Sequence, residues 1–394
     1  MSTALRLTIS KFFSSFYFAL PIQTLFLVAK GLPFSQIMIL ESVLLVSIFL
    51  FEVPTGILGD KIGRKWSIIF GSICQLIAWI PWFLANGFVL FAVSFFISGI
   101  GIAFQSGSDQ ALIFDCLKAE GKESAMQKIF GRYFASMSLA TACAGLISAL
   151  LIKSGNLENF YLLYKATVVM QILGTLILFT VKEENRSSAG KKVEKQPQSN
   201  LKFFLSSTKE IFQKIKLRKL TLLYLTTLPF SYVLIYIFQP YFQASSVPLH
   251  WYGYAVMLAS LFSTFSKSLA YKLEQYFGVK RGLLIITITP AILWLTMGLI
   301  FTPIAAVLIF ILNDSASNAR SPVFADYLNK QITSTNRATV LSIISVTESL
   351  YYIITRPIIG FIADYNLSYA FFSISALIIL GVISFYPRMS NETV

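Results

Sequence analysis

The sequence predicts an all-α membrane protein with twelve transmembrane helices arranged as two pseudo-symmetric six-helix bundles. Three observations support this fold class: 56% of the 394 residues are hydrophobic, only 13% are charged, and the apolar residues form long continuous runs. A soluble domain has roughly twice that charged fraction. The runs do not alternate between apolar and polar residues as the strands of a membrane barrel do, so they favour helices.

Each run reaches the length of about 20 residues that a helix needs to cross a bilayer. Spans 1 to 6 are predicted at 6–29, 34–59, 66–85, 88–117, 126–152 and 159–181. Spans 7 to 12 are predicted at 218–244, 249–274, 281–301, 303–328, 337–363 and 367–387.

Basic residues are concentrated in the turns that follow the even-numbered spans. Examples are Lys61, Arg64 and Lys65; Lys118, Lys122 and Lys128; Lys280 and Arg281; Lys330 and Arg337. The turns after the odd-numbered spans hold little beyond Lys30 and Lys153. The positive-inside rule therefore places the even turns and both termini in the cytoplasm of a multi-pass protein of the cell (inner) membrane. The net charge of +14 does not indicate a nucleic-acid partner, because the basic residues lie between spans.

The longest connection, 182–217, predicts the domain organisation. Residues 182–200, KEENRSSAGKKVEKQPQSN, are polar and without periodicity, as in a flexible tether. Residues 201–216 place apolar residues among lysines, which predicts a short amphipathic helix at the membrane surface. We therefore expect an N-terminal bundle at 1–181, a cytoplasmic linker at 182–217 and a C-terminal bundle at 218–394.

Residues that would support an enzyme or a metal site are scarce. The three cysteines lie inside apolar runs, and His250 is the single histidine, so neither a disulfide framework nor a zinc site is expected. The sequence has no nucleotide-binding loop and no Ser/His/Asp, paired-histidine or Cys/His set. We expect no metal, no cofactor and no enzymatic activity, with a proton gradient as the energy source. A membrane enzyme or a receptor is nevertheless kept as an alternative beside the transport functions given below.

Residues 56–65, GILGDKIGRK, fill the turn between spans 2 and 3. They resemble the signature of the major facilitator superfamily at every position: Gly56, Leu58, Asp60, Gly63, Arg64 and Lys65. A shift of 211 residues places 105–118 over 316–329 and aligns Asp115 with Asp326, and KLEQYFGVKR at 272–281 is a weaker second copy of the signature turn. Two such repeats are a known transporter architecture.

The resemblance implies an ionic gate that joins the two halves on the cytoplasmic side when the cavity opens outward. Its predicted residues are Gly56, Asp60, Gly63, Arg64, Lys65 and Asp115 in the first half and Glu274, Arg281, Arg320 and Asp326 in the second. Gly56 is expected to permit close helix packing, Asp60 to lie at a helix N-terminus, and Arg64 to reach Asp115.

Span 5 is similar to that of the drug/proton antiporter branch in its small residues, although the branch's proline is missing. The small residues are Gly131, Ala140, Ala144, Gly145, Ser148 and Ala149. Span 4 has Phe95 where the branch has an arginine. The resemblance implies a monomeric, proton-coupled exporter of a small amphipathic organic compound, working by alternating access. The alternative is an importer or a lipid flippase of the same fold, because fold does not determine direction or substrate.

Ionisable side chains inside a membrane are costly and are read as functional by default. They are Lys11, Glu41, Glu52, Asp109, Lys267, Asp314, Arg320, Glu348 and Arg356. We expect Asp314 and Glu348, and after them Asp109 and Glu52, to carry the coupled proton. Asp109 and Arg320 correspond in the repeat, which predicts that they pair as an inner gate. Helix rise places Glu41 about 28 Å from Asp60, near the outer surface.

Spans 1, 4, 7 and 10 line the cavity in this superfamily, and their polar and aromatic residues are the predicted substrate contacts. These are Tyr17, Gln23, Gln105, Tyr232, Tyr236, Gln239, Asn313 and Asn318. Such a lining suits an amphipathic organic molecule, including a cationic one. The five tryptophans all lie in other spans, so a sugar site rich in amides and tryptophan is not expected.

Overall fold

The computed structural model describes residues 2–152, 155–183, 214–227, 230–332 and 337–386. Within these residues the regular secondary structure is helical. The helices of the N-terminal part are α1 Thr3–Ser14, α2 Gln23–Ala29, α3 Phe34–Ile62, α4 Arg64–Ala78, α5 Ile80–Leu84, α6 Phe88–Gln105, α7 Ser108–Ala119, α8 Met126–Leu151 and α9 Leu157–Phe179. The helices of the C-terminal part are α10 Ile215–Thr227, α11 Phe230–Ala244, α12 Leu249–Leu299, α13 Pro303–Gln331, α14 Arg337–Tyr365 and α15 Leu367–Phe385.

These helices make the twelve predicted spans, and the fold class is confirmed. Spans 1, 3, 4 and 7 each consist of two successive helices, and α12 holds spans 8 and 9 on either side of a kink at Gly278. Among the described residues, eight helical segments are long and apolar enough to cross a membrane by length and composition. The others are span 1, which is broken, and spans 8, 10 and 11, which carry charged side chains.

The predicted linker lies almost entirely outside the described residues, and with it the predicted amphipathic helix. Helix α10 begins at Ile215, near the C-terminal end of the predicted linker and slightly before the predicted start of span 7. The domain boundaries at 181 and 218 therefore stay a prediction.

Span 1 leaves the helical conformation between α1 and α2, which the sequence did not predict. The backbone N–H of Phe18 donates to Thr167 Oγ1 at 3.1 Å, and its carbonyl accepts from Ser148 Oγ at 2.6 Å. Backbone polar groups inside a membrane must be satisfied within the protein, and these hydroxyl groups supply the partners that the broken helix lacks.

The two halves meet along two pairs of spans, 2 with 11 and 5 with 8, and we call this contact the seam. Small residues permit the close approach. A Cβ added to Gly253 in span 8 would lie 2.5 Å from the backbone N of Ala149 in span 5. A Cβ added to Gly360 in span 11 would lie 2.7 Å from Ser35 Cα in span 2. Gly145 and Ala149 of span 5 thus pack closely against span 8, whereas a Cβ added to Gly131 would meet nothing within 4 Å.

The protein has two membrane faces that differ in their contacts. The basic face carries the turn at Gly63 and the ends of the described chain, and the opposite face carries the turns at Gly31, Gly87 and Val247. The seam lies toward the opposite face, where Phe34 and Ser35 backbone N–H groups donate to the Asp364 carboxylate at 2.7 and 2.9 Å.

The turns after spans 2 and 8 have the same backbone conformation in both halves. Gly63 has φ 97° and ψ 152°, and Gly278 has φ 73° and ψ 164°. A positive φ with an extended ψ is a conformation that only glycine adopts readily. The two sequence copies therefore correspond at the glycine that ends one span and begins the next.

Candidate functional site

A buried ion pair joins the two halves at the centre of the seam. Arg356 Nη1 in α14 lies 2.9 Å from Glu41 Oε2 in α3, and the two side chains are 4% and 8% exposed. The predicted position of Glu41 near the outer surface stays a prediction, but the burial of its side chain was not predicted. Glu41 is seven residues into α3, about 10 Å from its first residue, and the contact with span 11 covers it.

Hydrogen bonds extend this ion pair into spans 1 and 7. The Tyr236 hydroxyl donates to Glu41 Oε1, and Gln23 Nε2 donates to the Tyr236 hydroxyl at 3.2 Å. The Thr24 hydroxyl donates to the Tyr236 carbonyl at 2.9 Å. Four spans are therefore connected through one carboxylate, and any separation of the halves has to break these bonds.

The other side of the Arg356 guanidinium lies against aromatic rings. Its Cζ is 5.4 Å from the centroid of Tyr232 and 4.8 Å from that of Tyr352, distances at which a cation and a ring attract. Tyr352 also donates to Glu348 Oε1, and Tyr224 donates to Glu348 Oε2 at 2.8 Å. Arg356 Nε has no hydrogen-bond partner among the described residues. The guanidinium is thus held by one carboxylate and by two rings, one of which, Tyr352, connects it to a second carboxylate.

A cavity of about 360 Å³ lies beside this network, lined by the N-terminal half and by Tyr236 of the C-terminal half, and we call it the larger cavity. The predicted substrate contacts Tyr17, Gln23, Gln105 and Tyr236 line it, together with Gln75, Gln171, Trp79 and Trp82. The expectation that no tryptophan lines the cavity is therefore wrong for this cavity, whereas its amides were expected. Trp79 and Trp82 belong to span 3, which the superfamily resemblance did not assign to the lining.

A second cavity of about 200 Å³, the smaller cavity, lies between the halves. Asp314 and Asn318 line it, as the sequence predicts, and so does Lys267. The Ser263 hydroxyl donates to Asp314 Oδ2, and Asn318 Nδ2 donates to Asp314 Oδ1 at 3.1 Å. Both carboxylate oxygens of Asp314 are therefore hydrogen-bonded at the wall of a cavity.

Two predicted substrate contacts are buried in packing instead of lining a cavity. Gln239 Oε1 accepts from the backbone N–H groups of Thr24 and Leu25 at 2.7 and 3.1 Å and so caps the N-terminus of α2. Asn313 is fully buried and donates to Met297 Sδ at 3.4 Å. In this conformation both side chains hold helices together. Tyr232, in contrast, is exposed beside Arg356.

The predicted pairing of Asp109 with Arg320 is not formed in this structure. Arg320 is fully buried and donates to the Thr227 carbonyl, and Asp109 accepts from the Tyr133 hydroxyl. Arg320 thus bonds within the C-terminal half and Asp109 within the N-terminal half, so their correspondence in the repeat does not bring the two residues together here. Glu52, the other proton-coupling candidate of the first half, is exposed.

The signature residues form contacts within the N-terminal half at the basic face. Arg64 Nη1 lies 2.8 Å from Asp115 Oδ2, as predicted. The backbone N–H groups of Arg64 and Lys65 donate to the Glu183 carboxylate at 3.0 and 3.1 Å. Glu183 therefore caps the N-terminus of α4, where negative charge is favoured and where the sequence suggested Asp60.

Asp326, Arg281 and Glu274 form no ion pair between the halves in the part of the chain that the structure describes. Asp326 pairs with Lys330 at 3.0 Å on its own helix, and Arg281 is exposed, with Glu274 half-buried nearby. The prediction of close packing at Gly56 is wrong for this conformation, because a Cβ added there would meet nothing within 4 Å.

The sequence matches the Major Facilitator Superfamily over residues 7–251, well over half of the chain. The chain belongs to this superfamily. Its members are transporters, which agrees with the twelve spans and the two cavities, and the chain is a multi-pass membrane protein of this superfamily.

One relative by sequence is an uncharacterized transporter of Buchnera aphidicola subsp. Schizaphis graminum. The two are 27% identical over 224 residues, which cover 55% of this chain and 51% of the relative. The chain thus spans about half the length of the curated relative that it matches.

Solved structures with the same fold are similar over almost the whole chain. A mutant of the nucleoside transporter NupG has a TM-score of 0.80 at 12% identity and covers 98% of this chain and 99% of its own. A D-xylose-proton symporter has a TM-score of 0.72 at 14% identity, with 99% of both chains covered. A bacterial homolog of the lysosomal transporter Spinster, in an inward-facing and unoccupied conformation, has a TM-score of 0.72 at 15% identity, covering 97% of this chain and 95% of that one. At these identities the likeness concerns the fold.

Sequence reasoning missed the residues whose role depends on how the halves dock. The partners of Arg356, of Glu348 and of the α4 N-terminus come from distant parts of the chain. One signal was present: Glu41 and Arg356 are opposite charges in spans 2 and 11, and buried charges require a counter-charge.

Proposed function

We propose that the protein is a proton-coupled secondary transporter that exports a small amphipathic organic compound by alternating access. The observation that carries this proposal is the one-sided seam: a buried ion pair and several hydrogen bonds join the halves toward the opposite face, while the signature residues at the basic face bond within one half. Two bundles whose ion pair and hydrogen bonds lie mainly toward one face can rock about the cavities between and beside them.

The conformation is assigned from charge. The positive-inside rule favours a cytoplasmic basic face, and on that orientation the structure is inward-facing. Arg64, Asp115 and their neighbours then lie at the cytoplasmic ends of the N-terminal spans, in position to bind the second half when the opposite face opens. This role is the one that the superfamily signature implies for them.

Glu348 and Asp314 are the best-supported proton carriers. Glu348 accepts hydrogen bonds from two tyrosine hydroxyl groups and is connected through Tyr352 to Arg356. A proton on Glu348 would therefore change the hydrogen bond to Tyr352 and, through that ring, the surroundings of the Arg356 guanidinium at the seam. Asp314 lies at the wall of the smaller cavity. A carboxyl group that moves between a wet and a dry surrounding can load a proton on one side and release it on the other.

The larger cavity supports an amphipathic substrate. Its volume of about 360 Å³ is within the range of small-molecule sites, and its wall combines tryptophan and tyrosine rings with amides. The same amides and tryptophans favour one second candidate, import of a polar hydroxylated compound by proton symport. Direction is supported by the resemblance of span 5 to the exporter branch.

A flux measurement in both directions tests the proposal. Cells with and without the protein are loaded with a panel of labelled amphipathic and polar compounds, with and without an uncoupler. We expect lower retention of at least one amphipathic compound in cells with the protein, and loss of that difference with the uncoupler. Higher, uncoupler-sensitive accumulation of a polar compound would favour the symporter instead.

The coupling residues are tested by Glu348→Gln and Asp314→Asn. Each variant should keep substrate binding but lose proton-linked transport, because the amide keeps hydrogen bonds but cannot carry the proton. Glu120→Gln is the matched control, since Glu120 is an exposed carboxylate at the basic face that pairs with Lys122. Proton-linked transport at the parent rate in both variants would remove these carboxylates from the mechanism.

A further inference from the structure

The larger cavity contains one cation that nothing in the described part of the chain neutralises by contact. Lys11 lies in the last turn of α1 and lines the cavity beside Ser14, Tyr17 and Gln105. Its ammonium group has neither an ion pair nor a hydrogen bond to any described residue. The nearby helix C-terminus favours positive charge, but the described residues supply no hydrogen-bond acceptor to the three ammonium hydrogens.

The other charges around this cavity are occupied. Glu41 also lines it, but its two oxygens bind Arg356 and the Tyr236 hydroxyl. Asp109 faces the adjoining small pocket that Lys11 also lines, and its two oxygens accept from the Gln110 backbone N–H and from the Tyr133 hydroxyl. The wall of the larger cavity therefore holds one ammonium group with no counter-charge in contact among the described residues, while Asp109 in the adjoining pocket keeps its negative charge because its hydrogen-bond donors are neutral.

We propose, on the basis of the proposed transport function, that the substrate is an organic anion. Its acidic group binds Lys11 at the basic-face end of the larger cavity, and its ring or apolar body lies against Tyr17 and Trp79. An ammonium group held within a membrane-spanning helix is expensive when it has no counter-charge, and a carboxylate or a phosphate of the substrate supplies one.

The position of Lys11 supports this assignment. Glutamine side chains at 75, 105 and 171 occupy the same cavity and can donate to the remaining oxygens of an acidic group. Trp79 and Tyr17 lie with their ring centroids 5.5 Å apart and provide the aromatic wall. The arrangement combines a charge, neutral donors and rings within one site, as sites for aromatic or apolar acids require.

Matched compound triplets test the charge of the substrate. Benzene, naphthalene and indole skeletons each carry a carboxymethyl group, the corresponding primary amide, or an aminoethyl group. Binding to the purified full-length protein is measured by calorimetry and by thermal stabilisation. We expect the acid of at least one skeleton to bind about 10- to 100-fold more tightly than its amide, and the amine to bind most weakly.

Variants assign that preference to Lys11. Lys11→Gln should remove the preference for the acid, and Lys11→Arg should keep it because the charge remains. Lys165→Gln is the matched control, since Lys165 is an exposed lysine of span 6 that lines neither cavity. A second possibility is that Lys11 only neutralises Asp109. In that case the double variant Lys11→Gln/Asp109→Asn would bind acids, amides and amines as tightly as one another, and the proposal would be wrong.

The remaining outcomes separate this inference from the proposed function. Acids that bind no more tightly than amides on every skeleton, or a panel in which nothing binds, contradict the inference. Amides that are exported with proton coupling while acids are rejected would leave the transport function in place and refute the anion. Acids that bind through Lys11 but move in neither direction under a proton gradient would support the recognition and refute proton-coupled transport.

Discussion

Removing the seam carboxylate should shift the protein toward the conformation that is open at the opposite face. In Glu41→Gln the Arg356 guanidinium stays buried, 4% exposed, with no counter-charge, while the rest of the seam is unchanged. Breaking a buried pair from one side costs about 3–5 kcal/mol. Separation of the halves hydrates Arg356 and relieves that cost, so the equilibrium should move by roughly 10²- to 10⁴-fold toward the separated state.

Distances between spin labels at Asn86 and Tyr365 report this shift, because both residues are exposed at the opposite face and belong to different halves. The labels require a background in which Cys74, Cys116 and Cys143 are replaced. The parent should give the shorter distance, and Glu41→Gln should populate a longer one.

Glu120→Gln is the control, since it removes an exposed pair at 2.9 Å that is worth about 0–1 kcal/mol. It should leave the parent distribution unchanged. If Glu41→Gln also coincides with the parent, the ion pair does not hold the seam and the reasoning is refuted.

Three further substitutions test the packing and the turn. Gly360→Ala should weaken the seam and lower the melting temperature, because the new Cβ would lie 2.7 Å from Ser35 Cα; an unchanged temperature would contradict the close approach. Gly63→Ala should destabilise the turn by about 1–2 kcal/mol at its φ of 97°, as thermal unfolding would record; equal stability would show that the turn has rearranged. Glu183→Ala removes two backbone hydrogen bonds from α4 and should speed proteolysis at the basic face, whereas an unchanged cleavage rate would exclude the cap.

The sequence predicts the spans well because their length and apolar content are local properties. Span 2, predicted at 34–59, is the helix Phe34–Ile62, and span 10, predicted at 303–328, is Pro303–Gln331. The break in span 1 was not predicted, because it depends on hydroxyl partners from spans 5 and 6, Ser148 and Thr167. A propensity pattern along one span carries no information about such partners.

The candidate site was predicted in composition but only partly in arrangement. Arg64 and Asp115 pair as expected because they lie at neighbouring span ends in one half. The burial of Glu41 was not predicted, because helix rise gives its depth along span 2 but not which helix covers it. Gln239 and Arg320 were assigned to the cavity or the gate, yet both satisfy buried backbone groups, and polar residue type alone does not separate these roles.

The central claim is that the halves separate at the opposite face in every transport cycle. A reversible disulfide between cysteines introduced at Ser35 and Asp364, which a 2.9 Å hydrogen bond now joins across the seam, tests it directly. With the natural cysteines replaced, transport of a compound found in the flux panel is measured in the reduced, oxidised and re-reduced protein. Transport should stop on oxidation and return on reduction, while binding from the basic face is retained. A fully cross-linked protein that transports at the reduced rate would contradict it.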